Sequence, residues 1–364
     1  MKIKQHQTQS PSLPPIIGIS LRSLPNWRKS LLISCSCILS FSLLPVSPLT
    51  VHGQESASSF PLSTTAAQAQ TITVAKDGSG QFTTVQAAID SIESGNKNPI
   101  TIYVKNGIYT EKLTFPKDKP YITLTGQSAD QTILTYNDTS ASAGGTTNSS
   151  STFVLSDHFT AQQITFANTA GKDAGQAVAL YVRGDQAIFK HVRILGNQDT
   201  LYTPGTGRQY YENCYIEGTV DFVFGSATAY FNNCELKSLG NGYVTAASTT
   251  AEQAYGYVFW NCKLTRASTV ANTSVYLGRP WRPYASVAFI DTSMDSHIRP
   301  EGWNNWSNAE NEKTARYSEY GSIGNGGNIS KRVSWSKQLT SQQAAELTPQ
   351  HVLRGSDNWN PAGS

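Results

Sequence analysis

From residue 159 onward one pattern recurs and restricts the possible folds more than composition does: an aromatic residue followed, five positions later, by Ile, Leu or Met. The pairs are Phe159 with Ile164, Phe189 with Ile194, Tyr211 with Ile216, Phe231 with Leu236, Phe259 with Leu264, and Phe289 with Met294. The anchors are spaced 30, 22, 20, 28 and 30 residues apart, and the sequence between them shows short β-prone runs without helical periodicity. Such units bury their apolar faces only against one another, so the pattern implies a solenoid of parallel strands. Cys214, Cys234 and Cys262 each fall three positions after an anchor. They are expected to form a buried, inert ladder of small side chains, reactive thiols being the alternative. Of the five cysteines, Cys35 and Cys37 fall in the N-terminal segment read below as a removed signal. The three that remain make no closed disulfide set and no CxxC pair, which disfavours zinc.

The runs ITIYV (100–104) and YITLT (121–125) are expected to be earlier coils of the same stack. In TTVQAAIDSI (83–92), Val85, Ala88, Ile89 and Ile92 share one helical stripe, and this segment is expected to cap the open end. TSQQAAELTP (340–349) has Thr340 as its N-cap and is expected to be a second short helix that ends before Pro349. One domain is drawn from 71 to 360.

The first fifty residues have a different character. Lys2, Lys4, Arg22, Arg28 and Lys29 are the only charges before position 54, and the apolar run from Leu31 to Leu44 is short for a membrane span. Residues 1–53 therefore read as an export signal, with Ala67-Gln68-Ala69 as a later alternative cleavage site and a retained anchor as the rival reading. Residues 54–70, rich in Ser, Thr, Ala and Gln, read as a flexible lead-in. Without the five basic residues the chain has 23 Lys+Arg against 25 Asp+Glu, a net charge of −2. That balance gives no support for nucleic-acid binding.

The repeat also places polar residues. Asp199 and Asp221 each lie ten positions after an anchor, Phe189 and Tyr211, so the two aspartates occupy equivalent places on neighbouring coils. Gln176 and Gln198 repeat the same interval of 22 residues. Adjacent parallel strands run about 5 Å apart, so the two carboxylates are expected to face each other across one rung. Two such carboxyls do not both ionise readily, which leaves one as base or nucleophile and the other as acid. A solvated aspartate ladder is the alternative. The apolar neighbours Val220, Phe222, Val223 and Phe224 count against it.

The stretches that carry these residues, GNQDTLY (196–202), GTVDFVFG (218–225) and YLGRPW (276–281), resemble the signature motifs of pectin methylesterases. DGSGQFTTVQAAID (77–90), GIYTEKL (107–113), ITFANTAG (164–171), QAVAL (176–180) and HIRPEGW (297–303) follow the family's order as well, over about residues 71–360. The resemblance implies an all-β, right-handed parallel β-helix and hydrolysis of the methyl esters of galacturonate units in pectin. It implies Asp221 as the nucleophile, Asp199 as the general acid and base, Gln176 and Gln198 as oxyanion donors, and Arg279 as the partner of Asp221. Tyr202 and Trp281 correspond to aromatic residues of the sugar cleft, and Thr146 to a substrate-contacting threonine, with Thr147 as the alternative. No cofactor or metal is implied. The expected partner is methyl-esterified homogalacturonan, with a proteinaceous inhibitor as a candidate second partner. The expected state is a secreted, cell-wall monomer.

This chain departs from the plant members of the family in three places. The linker between Asp199 and Asp221 is one residue longer, through Pro204-Gly205-Thr206-Gly207; GGTTNSSST (144–152) lacks an aromatic residue; and SDHF (156–159) replaces a glycine-containing turn. Rival pectin-active chemistries fit less well. The sequence has no Gly-His-Gly loop and no third acid for glycosidic hydrolysis, no carboxylate cluster for a calcium-dependent lyase, and no G-x-S-x-G for a serine esterase. A non-catalytic pectin-binding solenoid would keep the aromatic residues and lose the acid pair.

Overall fold

The computed structural model describes residues 70–363. The signal of residues 1–53 and the lead-in lie outside them, apart from Gln70, which opens the first strand, Gln70–Val74. The strands stack in parallel, coil upon coil. One sheet has 11 strands and runs from Gln70–Val74 to Lys337–Gln338. The remaining strands make two further faces, which are joined where the long strands Tyr215–Gly225 and Glu235–Ala247 turn the corner between them. Tyr215–Glu217 pairs with Arg193–Leu195 on one face, and Val223–Gly225 pairs with Leu201–Thr203 on the other. This is the parallel β-helix expected from the repeat.

The repeating aromatic residues form the core. Phe189, Tyr211, Phe231, Phe259 and Phe289 are in register and fully buried, with ring centroids 4.7, 4.6, 4.5 and 4.6 Å apart and planes within 14° of parallel. Offset stacking of this kind adds to the burial of each ring's area. The partners five positions on stack as well, Ile194 on Ile216, Ile216 on Leu236 and Leu264 on Met294. The first pair does not hold. Ala161, not Phe159, is the register partner of Phe189, and Phe166, not Ile164, faces Ile194. Phe159 has shifted by two residues, is tilted by 50° to Phe189 at 6.0 Å, and still fills the interior.

The corrected register reveals the corner of each coil. Two positions after each anchor the backbone is left-handed: Gln163, His191, Asn213, Asn233, Asn261 and Asp291 have φ between 47° and 54°. Asn bears that conformation at less cost than most side chains, which explains the Asn-Cys pairs. The bend points the following residue inward, so Cys214, Cys234 and Cys262 are buried and free. Their thiols donate to the carbonyls of Phe189, Tyr211 and Phe231 one coil away, and burial raises the Cys214 and Cys234 thiols well above their ordinary range. They form the expected inert ladder.

Helix Val85–Asp90, capped by Thr84, buries Val85, Ala88 and Ile89 against the core at the start of the stack. Helix Ser341–Ala345 carries a capping box between Thr340 and Gln343. It ends before Pro349, with Glu346 as its C-cap, and Pro349 has a different place. It is the first residue of another helix, Pro349–Leu353, a position where its missing N–H costs nothing. Ala344, Val352 and Leu353 cover Tyr210, Tyr230 and Val258 on the outer side of the 11-stranded sheet. Arg208 ties this tail down through Asp185 and Asp357.

Candidate active site

The site lies where the chain turns between the two shorter faces. Asp199 and Asp221 both have left-handed backbone, φ 65° and 52°, and the Asp199 N–H donates to the Val220 carbonyl at 3.0 Å. Leu201 pairs with Val223, so the two aspartates hold equivalent places on adjacent coils, and Gln176 and Gln198 form a parallel bridge beside them. Asp199 is 4% exposed and Asp221 6%. All eight residues singled out from the sequence, Thr146, Gln176, Gln198, Asp199, Tyr202, Asp221, Arg279 and Trp281, line one cavity of about 620 Å³.

Arg279 Nε donates to Asp221 Oδ1 at 2.9 Å and Nη2 to Oδ2 at 2.7 Å, a two-bond fork with charge-assisted strength. The guanidinium lies between two rings, 3.7 Å from the Trp306 centroid and 3.9 Å from that of Tyr243. Burial raises the Asp221 carboxyl above its usual value, and Arg279 opposes that rise. Asp199 has no arginine of its own. Burial, and next the Asp221 charge, raise it to about 8, against a smaller lowering by its hydrogen bond with Gln176. The two carboxyls are thus set apart, one paired with a cation and the other holding a proton.

Thr146 Oγ1 donates to Gln176 Oε1 at 2.9 Å, which leaves the amide N–H groups of Gln176 turned towards the acid pair. Thr147 also lines the cavity and hydrogen-bonds the Tyr202 hydroxyl. A row of rings leads from a neighbouring apolar cluster to the cleft wall. Phe153 and Tyr181 lie 5.4 Å apart, Tyr181 and Tyr202 5.2 Å, and Tyr202 stacks flat on Phe224 at 4.2 Å. Trp281 leans over Tyr202 and Phe224 at 6.3 and 5.9 Å. GGTTNSSST, without its aromatic residue, forms a turn through Gly144 and Gly145 and one short helical turn, Thr147–Ser149. In SDHF, His158 takes up the left-handed conformation, φ 54°, and stacks on Tyr121 at 4.5 Å.

Trp306 and Tyr243 escaped the sequence reading, and Phe224 entered it only as an apolar neighbour of Asp221, not as part of the cavity wall. Phe224 was within reach of counting, since it lies 22 residues after Tyr202, the same interval as the aspartates. Trp306 sits on an irregular loop, and Tyr243, the partner of Val220, follows a break in register between Gly218 and Val220, so neither had a periodic signal.

Comparison with known proteins gives the same answer. Residues 71–356 match the model of the Pectinesterase family. Pectinesterase 31 of Arabidopsis thaliana is 40% identical over 287 residues, covering 76% of this chain and 90% of that one. Among solved structures, pectin methylesterase from carrot superposes with a TM-score of 0.76 at 34% identity, covering 80% of this chain and 95% of that one. A pectin methylesterase in complex with a hexasaccharide superposes with a TM-score of 0.70 at 34% identity, covering 81% and 99%. A family match over most of the chain, and a relative this similar over nearly its whole length, mean that this chain belongs to the pectinesterase family.

Proposed function

We propose that the chain removes methyl groups from the galacturonate esters of pectin, with Asp221 as nucleophile and Asp199 as general acid and then base. The observation that carries the reading is the asymmetry of the acid pair: Asp221 is forked to Arg279, while Asp199 beside it is raised to about 8. An Asp221 oxygen attacks the ester carbonyl carbon, and the carbonyl oxygen becomes an oxyanion that accepts hydrogen bonds from the Gln176 and Gln198 amides. As the C–OCH3 bond breaks, Asp199 gives its proton to the departing oxygen and methanol leaves. An acyl–Asp221 anhydride remains. Asp199, now a carboxylate, takes a proton from water, the hydroxide attacks the sugar acyl carbon, and Asp221 returns to its pair with Arg279.

Tyr202 and Trp281 offer ring faces to pyranose units, and Thr146 orients Gln176. The basic start of the chain and its apolar run support export, and with it action on cell-wall pectin; a monomeric state and a proteinaceous inhibitor belong to this reading through the family resemblance alone. The test is methanol release from highly methylated pectin alongside the length of the polymer. Methanol without shortening is expected; shortening without methanol would sink the reading.

A further inference from the structure

Tyr243 is not among the residues that line the cavity, yet the centroid of its ring lies 3.9 Å from Arg279 Cζ. It is buttressed in turn: Tyr243 and Tyr276 are register partners on neighbouring coils, stacked at 5.3 Å and 9°, and Arg299 Cζ lies 4.8 Å from the Tyr276 ring. Trp306 closes the other side of Arg279 at 3.7 Å. The result is one column, Trp306, Arg279, Tyr243, Tyr276 and Arg299, that runs from the cavity along the half-buried outer face of the coils, where Val244, Val275 and Leu277 point inward. Trp306 belongs to the cavity wall and can also meet substrate. Tyr243 reaches the reaction only through Arg279.

We propose that Tyr243 is a positioning residue, which fixes the plane of the Arg279 guanidinium so that its fork meets Asp221. The proposal rests on the esterase reading above. A two-bond fork requires guanidinium and carboxylate to be close to coplanar. A free arginine side chain turns about several bonds and is hydrated on both faces. A ring pressed against each face removes that water and stops the rotation, and the attraction of cation for ring supports the same pose. Tyr243 thereby keeps Asp221 ionised without touching substrate.

Steady-state methanol release from highly methylated pectin tests this with Tyr243→Leu, Tyr243→Phe, and Tyr243→Leu combined with Arg279→Lys. Tyr243→Leu should lower kcat by about three- to thirty-fold, the range for a lost cation–ring contact, with KM nearly unchanged and the acidic limb of the pH profile moved to higher pH. Tyr243→Phe keeps the ring and should behave as wild type. Beside Arg279→Lys, which has already lost the planar fork, Tyr243→Leu should cost little more, since both act on one contact. If circular dichroism shows that the leucine variant is misfolded, Tyr243→Met replaces it with the same expectations. A normal kcat with an unmoved acidic limb, a rise in KM alone, or losses that multiply in the double variant would each overturn the proposal. Wild-type enzyme without methanol release would instead overturn the esterase reading itself.

Discussion

Fifty-eight residues of sequence separate Asp221 from Arg279, yet the guanidinium meets both carboxylate oxygens, at 2.9 and 2.7 Å. The strand of Arg279, Val275–Pro280, pairs with Glu235–Ala247, which pairs with the strand of Asp221. The stacking of coils therefore positions the pair. Losing the partner of a buried carboxylate costs on the order of 3–5 kcal/mol, or about two to four decades of rate when felt in the transition state. Arg279→Lys keeps a charge but not the fork, so methanol release should fall from wild type to Arg279→Lys to Arg279→Ala. The acidic limb should rise in pH in the same order, as Asp221 becomes harder to ionise. A near-normal rate in Arg279→Ala would assign Arg279 to substrate binding alone.

Asp221→Asn removes the proposed nucleophile and leaves the shape of the cavity. It should bind pectin and release essentially no methanol. Residual activity above a few per cent of wild type, in protein free of deamidated enzyme, would assign the nucleophile elsewhere.

A second ion pair holds the frame and not the chemistry. Arg332 and Glu319 are 3% and 0% exposed at their side chains and bonded at 2.8 Å, and Arg332 also donates to the carbonyls of Arg299, Pro300 and Gly326. Glu319→Gln leaves that cation buried without its counter-charge and should cost about 3–5 kcal/mol. Thermal unfolding should show a Tm lower by several degrees, with kcat close to wild type in the folded fraction. A large fall in kcat at unchanged Tm would mean that the pair serves the site.

The interval of 22 residues between coils brought Asp199 beside Asp221 and Gln176 beside Gln198, because equivalent positions on parallel coils become neighbours whatever fills the loops. The same logic failed at Phe159, where a two-residue shift kept an aromatic ring in the core without keeping its register. Periodicity records burial, and burial tolerates such a slip. The pairing of Arg279 with Asp221 came from resemblance, since the chain breaks register between Gly218 and Val223. The left-handed corners were hidden for another reason: Gln163, His191 and Asp291 occupy them as well as asparagine, so composition alone gives no uniform signal.

The pH dependence of stability offers a test of Asp199 that is separate from catalysis. An aspartate in the unfolded chain titrates near 3.8, whereas folded Asp199 titrates at about 8. Between these values the folded state keeps a proton that the unfolded state has lost, so this group makes stability fall as pH rises through that window. Below 3.8 both states are protonated and the penalty is absent. Asp199→Asn carries no charge at any pH and escapes the penalty, so its stability relative to wild type should grow from pH 3.5 to pH 7 by on the order of a few kcal/mol. Activity should move the other way. The variant has no proton to give methanol and should be slower by at least 100-fold, the lower end of what acid–base catalysis supplies. In wild type the alkaline limb of kcat/KM should fall near pH 8, where Asp199 loses its proton. Thermal unfolding of both proteins at pH 3.5, 5 and 7, together with the wild-type rate profile, decides the matter. A Tm difference that does not change with pH would mean that Asp199 is ionised in the folded enzyme, and the acid in this site would have to be another group.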